Sequence, residues 1–170
     1  MPQLTITAPR TPSDLRIGRR IWEWLGRHGK RADFTFDGSH VRVAMPFHAA
    51  SKEDLQIGLD ATTAWNVLAL QQRPLPNIYN AGVRYQREPM CRADGVVHIC
   101  EEWLTAHEVF DRGWGDCDDL GPWLAASLRL AGDEHARAFP RRSAVGWHIL
   151  VAHGDGTIED PSAKLGMPTK

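Results

Sequence analysis

Apolar positions along this chain recur at two periods. From residue 11 to about residue 130 most runs repeat at the three- and four-residue spacing of a helix face, and beyond Gly132 they alternate as in strands. After a short extended lead, Thr11-Pro12-Ser13-Asp14 predicts a helix start, with Thr11 as N-cap, Pro12 where its missing N–H costs nothing, and Asp14 at the capping-box position. Ile17, Ile21, Trp24 and Leu25 carry its buried stripe towards Gly26 or Gly29. Phe34 and Phe36 then alternate, Asp37-Gly38 makes a tight turn, and Val41, Val43 and Met45 return, a two-residue loop setting Phe34 opposite Val41. Ser51 with Asp54 opens a second helix through Leu55, Leu59, Thr62, Val67 and Leu70, which must stop by Pro74. Val83 to Gln86 reads as extended and Cys91 to Asp94 as a turn-rich connection. A helix is expected from about His98 through Trp103, Leu104, Val109 and Phe110 to Gly113. Leu120, Trp123, Leu124, Leu128 and Leu130 define the next, with Pro122 near enough to its start for a slight irregularity to accommodate it. Ala136–Phe139, Val145–Ala152 and Thr157–Asp160 are strands. Helices first and antiparallel strands afterwards make an α+β domain, with residues 1–50 a helix-plus-hairpin extension packed on a core of residues 51–170.

Composition narrows the picture. A chain of 170 residues suits one compact domain that needs neither disulfide nor metal to hold its core. A formal net charge of −1 argues against nucleic-acid or membrane binding. Three cysteines, Cys91, Cys100 and Cys117, leave at least one free thiol and point to a reducing compartment. With no signal peptide or membrane-length apolar run, the expected location is the cytoplasm. Arg16, Arg19, Arg20, Arg27, Lys30 and Arg31 crowd the first helix and its exit, either as a solvated face or as a docking arm for an acidic assembly partner.

The chemistry centres on Gly113-Trp114-Gly115-Asp116-Cys117-Asp118-Asp119-Leu120, where a cysteine stands between a glycine-hinged loop and a helical run. A thiol is a strong nucleophile as thiolate, and a helix N-terminus favours that anion. Downstream come Trp147-His148 and Glu159-Asp160, so nucleophile, base and base-orienting carboxylate follow in order. A three-residue loop Gly154-Asp155-Gly156, with Gly156 left-handed, would pair residue 153 with 157 and set Asp160 diagonal to His148 on one face; a two-residue loop would part them. The backbone N–H of Cys117 is a natural oxyanion donor, with Gln86 or Tyr85 as a second, and Trp114 and Trp147 are candidate cleft walls. Each residue also has a plainer reading. Cys117 suits a buried small apolar site, His148 a satisfied core histidine, Asp160 a turn or cap, and the two tryptophans core packing. Asp116, Asp118 and Asp119 lack the spacing of a calcium loop and read as helix-start carboxylates that oppose a thiolate beside them. Cys91, His98 and Cys100 fit no standard zinc finger, so neither metal nor cofactor is expected.

Taken together, Val83-Arg84-Tyr85, Glu108 to Gly113, Gly115 to Leu120, Ser127 to Gly132, Ala136-Arg137, Trp147-His148 and Ile158 to Ser162 resemble the transglutaminase-like superfamily of cysteine peptidases and acyltransferases over residues 78–163. Compact members encoded by tailed phages show a similar closing block. The resemblance implies a papain-like α+β core, its nucleophile-bearing helix packed on a C-terminal antiparallel sheet, with Cys117 as nucleophile, His148 as base and Asp160 as its orienter. The expected function is thiol-dependent hydrolysis of an amide bond in a protein or peptide. Protein crosslinking, a silent virion-assembly module on the same fold and a Cys-His-His cell-wall amidase are the rivals, and Asp160 in place of a third histidine counts against the last.

Overall fold

In the computed structural model the described residues are 3–9, 11–36, 40–46, 51–93, 96–99, 102–144 and 146–168. Helix α1 (Pro12–Arg27) starts where its capping residues place it, the Thr11 hydroxyl accepting the Asp14 N–H at 3.1 Å. Its buried face includes Ile17, Gly18, Ile21 and Leu25. A Cβ on Gly18 would stand 2.7 Å from Val41 and 2.8 Å from Phe34, so the helix lies close on strands β2 (Asp33–Phe36) and β3 (His40–Pro46). Their register differs from the expected one: Phe34 pairs with Val43 and Phe36 with Val41. A slip of two residues leaves every side chain on its face, so apolar alternation cannot separate the two registers. The turn at Asp37-Gly38 lies outside the described residues.

The extended lead is β1 (Gln3–Pro9), and it is an interior strand. It runs antiparallel to β3, with Ile6 opposite Val43, and parallel to β7 (Trp103–Leu104), with Ile6 opposite Trp103, giving the order β2-β3-β1-β7. One sheet therefore spans residue 50. Helix α2 (Lys52–Gln72) begins with the Ser51 hydroxyl accepting the Asp54 N–H at 3.2 Å, and it buries Leu55, Leu59, Trp65 and Leu70. Lys30 forms an ion pair with Asp54 of this first turn, while Arg16, Arg19, Arg20, Arg27 and Arg31 are exposed.

Between the second and third helices the expectations fail twice. Met90–Ala93 (β5) and Val96–Ile99 (β6), following β4 (Arg84–Tyr85), form an antiparallel hairpin where a turn-rich connection and the start of a helix were expected. Trp103 and Leu104 are strand, and α3 (Ala106–Arg112) begins only after the Thr105–Glu108 capping box. These two apolar residues are buried beside β1, a partner remote in sequence, and helical spacing was no guide to them.

Strand β8 (Trp114–Gly115) leads into α4 (Cys117–Leu130), the centre of the molecule. This helix packs on α2 and on the sheet of β9 (Arg137–Ser143), β10 (Gly146–Ala152) and β11 (Ile158–Glu159), in the order β11-β10-β9. Gly121 lets it approach: a Cβ there would be 2.7 Å from Cγ2 of Ile149. Pro122 sits inside α4 without ending it. A last short helix, α5 (Pro161–Lys164), follows β11. The result is an α+β molecule with small, largely antiparallel sheets, as expected, and no described helix is long and apolar enough to cross a membrane.

Candidate functional site

Cys117 is the first residue of α4, partly exposed, and its surroundings explain its position. Gly113, at φ 79°, ends α3 in the left-handed conformation that glycine adopts freely. The next two residues pair in parallel with Arg84-Tyr85, the Gln86 N–H donating to the Gly115 carbonyl at 2.9 Å. Asp116 caps the helix and Asp119 completes the box, its Oδ2 accepting the Asp116 N–H at 3.3 Å and its Oδ1 the Leu104 N–H at 2.7 Å. A side chain at position 115 would crowd this arrangement, since a Cβ there would stand 3.0 Å from the Asp119 Cβ. Cys117 is thereby held at the positive end of a helix fourteen residues long.

Three acids crowd this helix start. Asp116, Asp118 and Asp119 are buried, and one carboxylate oxygen from each lies within 4.8 Å of the others. Burial first, then the neighbouring Asp116, raises Asp118 and Asp119 well above the usual carboxylate range. The raised pKa disfavours their charged forms, which weakens the opposition to a thiolate expected from the sequence. The cluster is a hydrogen-bonded helix start, with Asp119 occupied by two backbone N–H groups.

His148 and Asp160 meet. The imidazole Nε2 lies 2.9 Å from Asp160 Oδ2, the side chains being 19% and 30% exposed, so the pair is within reach of solvent. The loop produces this contact as expected. Gly156 is left-handed at φ 88°, the His153 N–H donates to the Thr157 carbonyl at 2.8 Å, and Val151 pairs with Glu159. Continued, that register sets Asp160 diagonal to His148. The capping role holds as well, because Asp160 Oδ1 accepts the Ala163 N–H at 3.0 Å and starts α5.

Sequence reasoning missed what steadies this corner. Glu159 accepts from Lys164 Nζ at 2.6 Å, pairs with His153 Nε2 at 2.9 Å and accepts the Tyr79 hydroxyl. Burial opposes the Glu159 charge, but these three partners outweigh it and lower its pKa, while burial and Glu159 itself raise that of Tyr79. The available signal was a histidine immediately after its strand and a glutamate next to Asp160. The Tyr85 N–H donates to the Leu165 carbonyl at 2.8 Å, and α5 packs on α4, so the segments bearing Asp160 and Cys117 are stitched through β4.

The four candidate substrate contacts separate. Tyr85 is half-buried, and burial first raises its phenol, with Cys117 and Asp116 adding to the shift and Arg87 opposing it. Gln86 instead accepts from Arg84 at 3.3 Å. Of the two proposed second oxyanion donors, Tyr85 is thus the one whose ionisation senses the sulfur. The ring of Trp114 carries the Arg112 guanidinium 3.1 Å from its centroid, and that of Trp147 lies 5.1 Å from the Arg142 guanidinium. Cys91 and His98 sit opposite each other on the β5–β6 hairpin, and Cys100 lies outside the described residues. No protein-family model, curated protein or solved structure matches this chain significantly.

Proposed function

We propose that this protein is a thiol-dependent amide-bond hydrolase of the transglutaminase-like type, with a papain-like core, acting on a protein or peptide. The observation that carries the reading is the 2.9 Å contact of His148 with Asp160, on a strand against which the Cys117-headed helix packs. Asp160 takes Nε2, which leaves Nδ1 of His148 for proton transfer. In the reaction Cys117 Sγ gives its proton to His148 and attacks the amide carbonyl carbon. The Cys117 N–H and Tyr85 steady the oxyanion, and His148 returns the proton to the departing amine as the C–N bond breaks. Water, deprotonated by His148, then cleaves the thioester to carboxylic acid and free thiol; an incoming amine would complete crosslinking instead. Asp160 stabilises the imidazolium throughout.

Alkylation by iodoacetamide tests this directly. Cys117 is expected to react selectively well below pH 8, and His148→Ala is expected to abolish that advantage. Reaction no faster than a free model thiol rejects the enzyme and leaves the silent assembly module, for which the exposed arginines of α1 and Trp22, 43% exposed, offer a surface.

A further inference from the structure

Beside His148 lies a groove of about 520 Å³ whose lining contains no carboxylate. Its apolar contributions come from Phe139, Trp147, Leu150 and Ile158, and its charged ones from Lys52, Arg141 and Arg142. Several cations elsewhere are paired: Arg137 with Asp60 at 2.9 Å, Lys164 with Glu159 at 2.6 Å. Among the described residues Lys52, Arg141 and Arg142 have no carboxylate partner, all three are exposed, and Ile158 is 51% exposed next to them. In a chain of net charge −1 this joins positive charge to uncovered apolar surface. The groove lies along the histidine-bearing strand, since Arg141 is the cross-strand partner of His148 and Trp147 precedes it in the chain.

We propose that this groove holds an acidic, apolar segment of the polypeptide substrate, with Glu or Asp side chains on Arg141, Arg142 and Lys52 and an aliphatic or aromatic side chain against Trp147, Leu150 and Ile158. The inference rests on the proposed function for the identity of its occupant as substrate. Guanidinium groups match carboxylates in a fork, and the aromatic and aliphatic lining adds burial that a purely ionic partner would not use. A peptide suits this better than a nucleic acid, because three cations around an apolar strip suit a short segment rather than a continuous phosphate backbone.

Fluorescence anisotropy with the full-length Cys117→Ala protein tests it. The probe is a labelled peptide alternating Glu with Leu and Phe, against the same peptide with Lys in place of Glu. The acidic peptide is expected to bind at least about tenfold more tightly, to weaken as salt rises, and to lose that preference in Arg141→Glu/Arg142→Glu. Equal binding of the two peptides overturns the proposal without recourse to the variant, and so does a preference that survives the double substitution in a folded protein. Tighter binding of an oligothymidylate than of the acidic peptide also overturns it. Alkylation of Cys117 in the wild-type protein is read separately. An inert thiol with intact acidic-peptide preference removes the enzyme but keeps the groove, whereas a reactive thiol without that preference removes the groove alone.

Discussion

Asp160 holds His148 with one oxygen and the first turn of α5 with the other, and two substitutions separate these tasks. Asparagine is as good an N-cap as aspartate, so Asp160→Asn is expected to leave thermal unfolding almost unchanged. In the proposed mechanism it removes the charge that balances the imidazolium, and the proposed amide hydrolysis is expected to fall on the order of 10²- to 10⁴-fold. Asp160→Ala is expected to lose the same activity and about 1 kcal/mol of stability besides. Equal activity of wild type and Asp160→Asn would reduce the contact to a structural one. This pair was legible because everything that sets it is local: a strand, a three-residue loop ending in a left-handed glycine, and a short return. The raised pKa of Asp118 and Asp119 was not, because it comes first from burial, which only the packing of the folded chain supplies.

At the scale of elements, the contact between α4 and β10 sets the distance from the thiol-bearing helix to the histidine-bearing strand. Gly121→Ala places a methyl group 2.7 Å from Cγ2 of Ile149, a branched side chain that is itself 2% exposed and has little room to turn. Alanine improves helix propensity by about 1 kcal/mol, yet overpacking of about 1–3 kcal/mol is expected to win. Urea denaturation should show net destabilisation, together with slower alkylation of Cys117 as helix and strand separate. A more stable Gly121→Ala protein would mean that the interface yields at no cost. Helices with their own caps, α1 and α2, were legible from Thr11 and Ser51. The β5–β6 hairpin was missed although Asp94-Gly95 stands between its strands, a pair of residues that favours two-residue turns. The early start given to α3 came from reading Trp103 and Leu104 by spacing alone, when the Thr105–Glu108 box marked the true beginning.

For the whole molecule, buried acids set how stability varies with pH. Burial pushes Glu108 from 4.5 up to about 8, with Glu102 and Asp14 adding to the shift, and Asp118 and Asp119 move in the same direction. Between their ordinary values and the raised ones the folded chain keeps protons that the unfolded chain releases. Stability is therefore expected to fall as pH rises from about 5 to 8, by at most roughly 1.4 kcal/mol per pH unit for each such proton. His107 and Glu159, both lowered, act oppositely, their contributions being lost as pH falls below about 6.5 and 4.5 respectively. Urea midpoints across this range should show the decline, and Glu108→Gln should flatten it by one proton; an unaltered slope would assign it to other groups.

The place of β1 between β3 and β7 has a consequence for the newborn chain. Its first neighbour is made about 35 residues after it, but Trp103 follows Ile6 by about 97. At roughly 5–20 residues per second, several seconds or more separate the birth of this strand from that of its parallel companion. Until then one side of a β-ribbon stands bare on the ribosome, open to whichever neighbouring polypeptide arrives first.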